Sequence, residues 1–119
     1  MFQKGSFSIP SDSSGIYLVK VIQSYKAGTR RHATTTKFVK VVVRATRPIL
    51  IKKRKKRMKA LVIRTQAYSK KNTGIIYNFF DNGLVLLKRR LNTLGKELKG
   101  PTSTALRIKK FRLAFRSVF

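Results

Sequence analysis

Six consecutive cations, Lys52, Lys53, Arg54, Lys55, Lys56 and Arg57, sit between two apolar segments, Pro48-Ile49-Leu50-Ile51 and Ala60-Leu61-Val62-Ile63. The flanks are β-prone and suit a folded body, whereas the charges between them cannot be buried. The run therefore predicts a surface loop tethered at both ends to strands and held at a fixed place on a scaffold. Tethering separates it from a free basic arm, the usual state of a block of like charges. A loop this dense in positive charge calls for a dense anionic partner, and a nucleic-acid backbone fits.

The charge balance of the whole chain points the same way. Lysine and arginine number 29 against three acids, Asp12, Asp81 and Glu97, for a formal charge of +26 and a pI near 11.8. Self-repulsion on that scale destabilises a compact state unless counter-charge is supplied. The working form is thus expected to be a complex in which phosphate neutralises the chain. Hydrophobic residues make up 42% of the 119 positions, too many for a wholly disordered basic tail and enough for one domain.

Cysteine is absent, which excludes a disulfide scaffold and thiolate-held metal. No apolar run approaches the roughly 18 residues needed to span a bilayer. The first 15 residues lack the apolar region of a secretory signal. They are also a poor mitochondrial leader, with one cation (Lys4), an acid (Asp12) and Pro10.

Along the chain, residues 6–9 read as a first strand, closed by Pro10-Ser11-Asp12-Ser13-Ser14-Gly15. Asp and Ser side chains there can bond nearby amides, and Gly15 can take a positive φ. Residues 16–22 form a second strand, with Lys20 marking a partly solvated face. A basic loop over residues 26–32 follows. In the third strand Val39, Val41 and Val43 point one way and Lys40 and Arg44 the other, with Phe38 and Val42. This is the period-two pattern of a half-buried strand whose polar face is entirely cationic. Residues 60–65 make the fourth strand and residues 68–74 a turn. Residues 75–80 and 84–87 are expected to pair as a hairpin around Asp81-Asn82-Gly83. Beyond Gly100-Pro101, Ile108, Phe111, Phe115 and Val118 recur at helical steps. Short strands at this spacing suggest a mainly β chain closed as a small barrel, with a short helical tail.

Five cationic clusters punctuate this plan: Arg30-Arg31, residues 52–57, Lys70-Lys71, residues 88–90, and Arg107 with Lys109-Lys110. Any one of them could be a solvated loop. Five with almost no interspersed acid depart from ordinary surfaces, which mix both signs, and together they predict phosphate binding. Tyr25 and Tyr68 flank basic loops and are candidates for stacking on unpaired bases, whereas the phenylalanines read as packing residues. His32, the single histidine, is a candidate phosphate or base contact, and neighbouring cations disfavour its protonated form. It has no second histidine or nearby acid to work with. Asp12 and Asp81 read as turn braces, and Glu97 as a partner for a neighbouring lysine. No phosphate-loop signature is present. No enzyme, metal site or cofactor is expected.

Several segments carry a family resemblance. Asp12-Ser13-Ser14-Gly15 is similar to a D-N-S-G turn, and Lys59-Ala60-Leu61-Val62-Ile63-Arg64-Thr65 to a K-A-x-V-V-R-T strand. Residues 80–87, FDNGLVLL, are similar to F-D-x-N-A-x-V-L-L, and Gly100-Pro101 followed by Leu106-Arg107 to G-P-V-x-x-E-L-R. In this order they resemble the family of large-subunit ribosomal protein fourteen over nearly the whole chain. Acids of the family pattern are replaced at Ala105, Thr36-Lys37 and Arg57-Met58, and the last ten residues align poorly.

The resemblance implies a single domain over residues 1–119. Residues 1–100 would form a five-stranded barrel with a projecting β-hairpin, and residues 101–119 a short helical tail. It further implies seating on large-subunit rRNA beside large-subunit proteins three and nineteen, near the subunit interface. Bridges to small-subunit rRNA and a docking surface for a ribosome-silencing factor belong to the same expectation, as does a mitochondrial ribosome. Arg30, Arg31, His32, the six cations of residues 52–57, Arg64, Lys70, Lys71 and Arg107 are the expected rRNA-facing set. Two rival readings are a membrane-active cationic protein acting through a basic amphipathic helix at residues 107–119, and a general DNA-compacting protein.

Overall fold

A computed structural model describes residues 2–25, 32–48, 57–70, 73–88, 92–95 and 98–103, with His32 described for its backbone only. Nine strands run through these residues: β1 (Phe2–Gln3), β2 (Phe7–Ser8), β3 (Ile16–Ser24), β4 (His32–Ala33), β5 (Phe38–Thr46), β6 (Arg57–Arg64), β7 (Ser69–Lys70), β8 (Ile76–Tyr77) and β9 (Gly83–Leu87). They form one five-stranded antiparallel sheet in the order β2-β3-β5-β6-β9, plus two-stranded pairs β1-β4 and β7-β8. The protein is mainly β. Of the expected barrel the described residues show the five-stranded sheet but not its closure, since β2 and β9 share no ladder. The chain leaving β2 does reach β9, through a parallel bridge between Pro10 and Leu84 and a Ser11 N–H to Leu84 O bond of 2.9 Å.

Alternation in β5 does what the sequence predicts. Val39, Val41 and Val43 are fully buried on the face they share with Val19, Val21, Ala60, Val62, Leu84 and Leu86. β6 and β9 differ because they are covered on both faces. Leu61, Ile63, Val85 and Leu87 form a second cluster with Leu98, against which Phe38 packs. Their unbroken apolar runs, in place of alternation, are what a strand buried on both sides requires.

The predicted turn at residues 10–15 is held as expected. Asp12 Oδ1 accepts from the Ser14 amide and hydroxyl at 3.2 and 2.6 Å, and Gly15 takes a φ of 78°. Asp12 also reaches the core, because its Oδ2 accepts the Leu86 amide at 3.3 Å.

Three expectations are corrected. Residues 75–80 and 84–87 do not pair with each other. β9 pairs with β6 (Leu61 opposite Val85), while β8 pairs with β7 (Lys70 opposite Ile76). A terminal hairpin would leave one face of the apolar β9 in water, whereas β6 and the chain around Leu98 bury both. Second, Arg57, Lys70 and His32 lie in strands and not in loops, since β6 begins inside the basic run. Third, Phe7 and Phe80 are exposed in place of packed. Residues 26–31 of the loop predicted over 26–32, the central cations Lys52 to Lys56, and residues 104–119 of the helical tail predicted over 101–119 lie outside the described residues.

Candidate nucleic-acid interface

The half-exposed face of β5 is laid down by its sequence: Phe38, Lys40, Val42 and Arg44 alternate with the buried valines. Register decides what stands beside them. Val42 is opposite both Lys20 of β3 and Arg57 of β6, Lys40 is opposite Gln23 and Lys59, and Phe38 is opposite Leu61. Directly paired residues share a face, so Lys20, Lys40, Arg44, Arg57 and Lys59 belong to one cationic surface.

Aromatic rings interleave with these charges. The Lys59 ammonium lies 4.4 Å from the centroid of the Phe38 ring and 5.4 Å from that of Tyr25, and Lys20 lies 5.5 Å from Phe7. The Tyr25 amide donates to Phe38 O at 3.2 Å, which fixes Tyr25 beside the end of β5.

Neither described carboxylate serves this surface. Asp12 is buried under the turn, and Asp81 is bound to Arg64. Lys40 and Lys59 are therefore like charges facing each other across neighbouring strands, a pairing that destabilises a sheet. Chemically, the face can accept anions and stack planar rings.

Arg64 has to be withdrawn from the expected rRNA-facing set. It is 6% exposed, and its five N–H donors meet five protein acceptors. Nε donates to Asp81 Oδ1 at 3.0 Å and Nη2 to Asp81 Oδ2 at 3.4 Å. Nη2 also donates to Ser11 Oγ at 2.6 Å, and Nη1 to the carbonyls of Lys99 and Pro101 at 2.9 and 3.2 Å. The guanidinium thus ties the turn after β2, the approach to β9 and the segment beyond Leu98 to the end of β6. Gly100, at φ 80°, leaves room for it, since a Cβ there would collide with Nη1. A planar fork with fixed donor directions suits such a junction.

Of the other expected contacts, Arg57 joins the cationic face, where it is exposed. Lys70 is exposed on the separate β7-β8 ribbon, close in sequence to the exposed Tyr68. The backbone of His32 pairs with Gln3. Arg30, Arg31, Lys52, Lys53, Arg54, Lys55, Lys56, Lys71 and Arg107 lie outside the described residues. Runs of charge in the sequence do not single out Lys20, Lys40 and Lys59, which the sheet brings onto one face. The cationic alternation of β5 was the available signal, but the Lys40–Lys59 pairing required the register.

A small, mainly β protein with a cationic strand face, whose two described carboxylates are bound within the chain, belongs to the class of basic scaffold proteins. Its family is defined by comparison. The sequence model of the ribosomal protein L14p/L23e family matches residues 1–116. The chain is also 36% identical over 115 residues to a protein of Tetrahymena pyriformis named large ribosomal subunit protein uL14m, covering 97% of each. The chain belongs to the ribosomal protein L14p/L23e family. Membership makes it a structural component of the ribosome and not an enzyme.

Proposed function

We propose that the protein is a structural constituent of the large subunit of a mitochondrial ribosome, held on large-subunit rRNA by phosphate contacts. The observation that carries this reading is family likeness across nearly the full length, in a chain with 29 cations and three acids. The organelle is supported by the likeness to uL14m, a name whose last letter marks the mitochondrial ribosome.

In this reading residues 1–119 act as one unit. Residues 1–100 are a sheet body curled towards a barrel, with β7-β8 as the projecting ribbon, and residues 101–119 form a helical tail. The body presents Arg30, Arg31, His32, the cations of residues 52–57, Lys70 and Lys71 to the rRNA backbone, and the tail presents Arg107. Phosphate contacts of this kind fix position and register without reading sequence. The family resemblance supports a seat beside large-subunit proteins three and nineteen, with a bridge to small-subunit rRNA and a docking surface for a ribosome-silencing factor.

Sucrose-gradient fractionation at physiological salt tests the assignment: the chain should stay with the large subunit, and its release into the soluble fraction there would count against it. Changing residues 52–57 to serine should leave the sheet folded, weaken rRNA association and flatten its salt dependence. Each lost phosphate contact lowers the log–log salt slope by about 0.7–0.9. An unchanged slope removes that run from the RNA contacts.

A further inference from the structure

We propose that the face formed by β3, β5 and β6 is a nucleotide subsite for single-stranded RNA. Lys40, Lys59 and Arg57 would take backbone phosphate, and Tyr25 would stack on an unpaired base. The inference rests on the rRNA-binding reading and names the place and the RNA conformation that reading leaves open.

The free protein carries one cost that it does not relieve. Lys40 and Lys59 are paired in register, and like charges directly opposite each other weaken a sheet. Two long side chains could splay apart into water, but Lys59 is held: its ammonium sits over the Phe38 and Tyr25 rings. Arg57 lies two residues away on the same strand face, and Lys20 is across the sheet in the next row.

The chain has little counter-charge to offer. Of its three acids, Asp12 and Asp81 are bound elsewhere. The third, Glu97, lies outside the described residues. The remaining undescribed stretches, residues 26–31, 49–56 and 104–119 among them, carry cations and no acid. Charge complementarity therefore selects an external polyanion.

The aromatic content selects its form. Tyr25 is 37% exposed beside the lysine cluster, anchored by its amide bond to Phe38 O. In a duplex, base faces are stacked away and only backbone is offered. A looped-out or single-stranded nucleotide offers both a phosphate and a π-face, matching a site with a cation and a ring side by side.

The test uses the purified full-length chain and two fluorescently labelled probes, a 12-nucleotide oligo(U) and a 12-base-pair RNA duplex. Lys40→Gln should bind oligo(U) more weakly with a salt slope shallower by about 0.7, and adding Lys59→Gln should double that change. Tyr25→Leu should lose a factor of about 5 to 150 for oligo(U) and little for the duplex. Lys40→Gln should also melt at or above the wild-type temperature, because the like-charge pairing is gone. Weaker binding without lower stability separates a binding role from a structural one.

If the wild type binds oligo(U) and these variants match it in affinity and slope, the subsite is overturned while the broader RNA-binding reading stands. Equal loss on both probes with Tyr25→Leu overturns the stacking role. If the wild type binds neither probe, the subsite falls together with the rRNA-binding reading.

Discussion

Arg64 shows how a single side chain changes meaning once its surroundings are known. In a chain so rich in cations it reads as one more phosphate contact, but its guanidinium is enclosed and saturated by Ser11, Asp81, Lys99 O and Pro101 O. An ammonium has three donors and no planar fork, so Arg64→Lys should destabilise the protein by about 2–4 kcal/mol in urea unfolding, through carbonyls left unpaired. Asp81→Asn should cost about 1 kcal/mol or less, because the Asp81 side chain is 64% exposed and solvent screens its charge. Should the two variants unfold together, or the lysine form match wild type, the guanidinium is not the junction described. Asp12 is the residue the sequence placed correctly, since an Asx-type turn is a local event. Its bond to the Leu86 amide spans 74 positions and left no trace in the neighbouring residues.

Among the elements, β5 was legible together with its faces, whereas β9 was legible as a strand but not in its partner. A strand solvated on one face writes its environment into period-two alternation, as Val39, Lys40, Val41 and Val43 do. A strand covered on both faces is simply apolar, and its sequence does not name its neighbour. Proximity then favours the hairpin with residues 75–80, yet burial of Leu84 to Leu87 favours β6 and the chain around Leu98. That preference predicts unequal sensitivity. Leu86→Ala in β9 should cost about 2–5 kcal/mol, as a truncation in a closed core does. Ile76→Ala on the exposed β7-β8 ribbon should change stability by less than about 0.5 kcal/mol. Chemical denaturation of the two variants checks the order, and a reversal would place the core elsewhere.

For the whole molecule, the +26 charge governs behaviour more than any single contact. Salt should act on the free chain and on its complex with opposite sign. Screening relieves self-repulsion, so raising ionic strength from 20 to 500 mM should raise the melting temperature of the free protein by about 5 °C, equivalent to about 1 kcal/mol for a domain of this size. The same change should weaken RNA binding steeply, because counterion release no longer favours it. Calorimetry and fluorescence titration across one salt series measure both. A melting temperature that is flat in salt would mean that the positive field is already neutralised within the chain.

Composition, alternation and the order of short motifs determined by themselves that this is a basic, mainly β chain of a ribosomal family, and they marked Asp12 and the valine face of β5. These are properties of the sequence because each depends on neighbouring residues or on a sum over the chain. Only the tertiary structure decided that Arg64 turns inward, that β9 lies against β6, and that Lys40 faces Lys59, whose ammonium lies over the Phe38 and Tyr25 rings. Each of these joins positions far apart in the chain, and strand register, which brings them within reach, is fixed by burial of the whole sheet and not by any local run of residues.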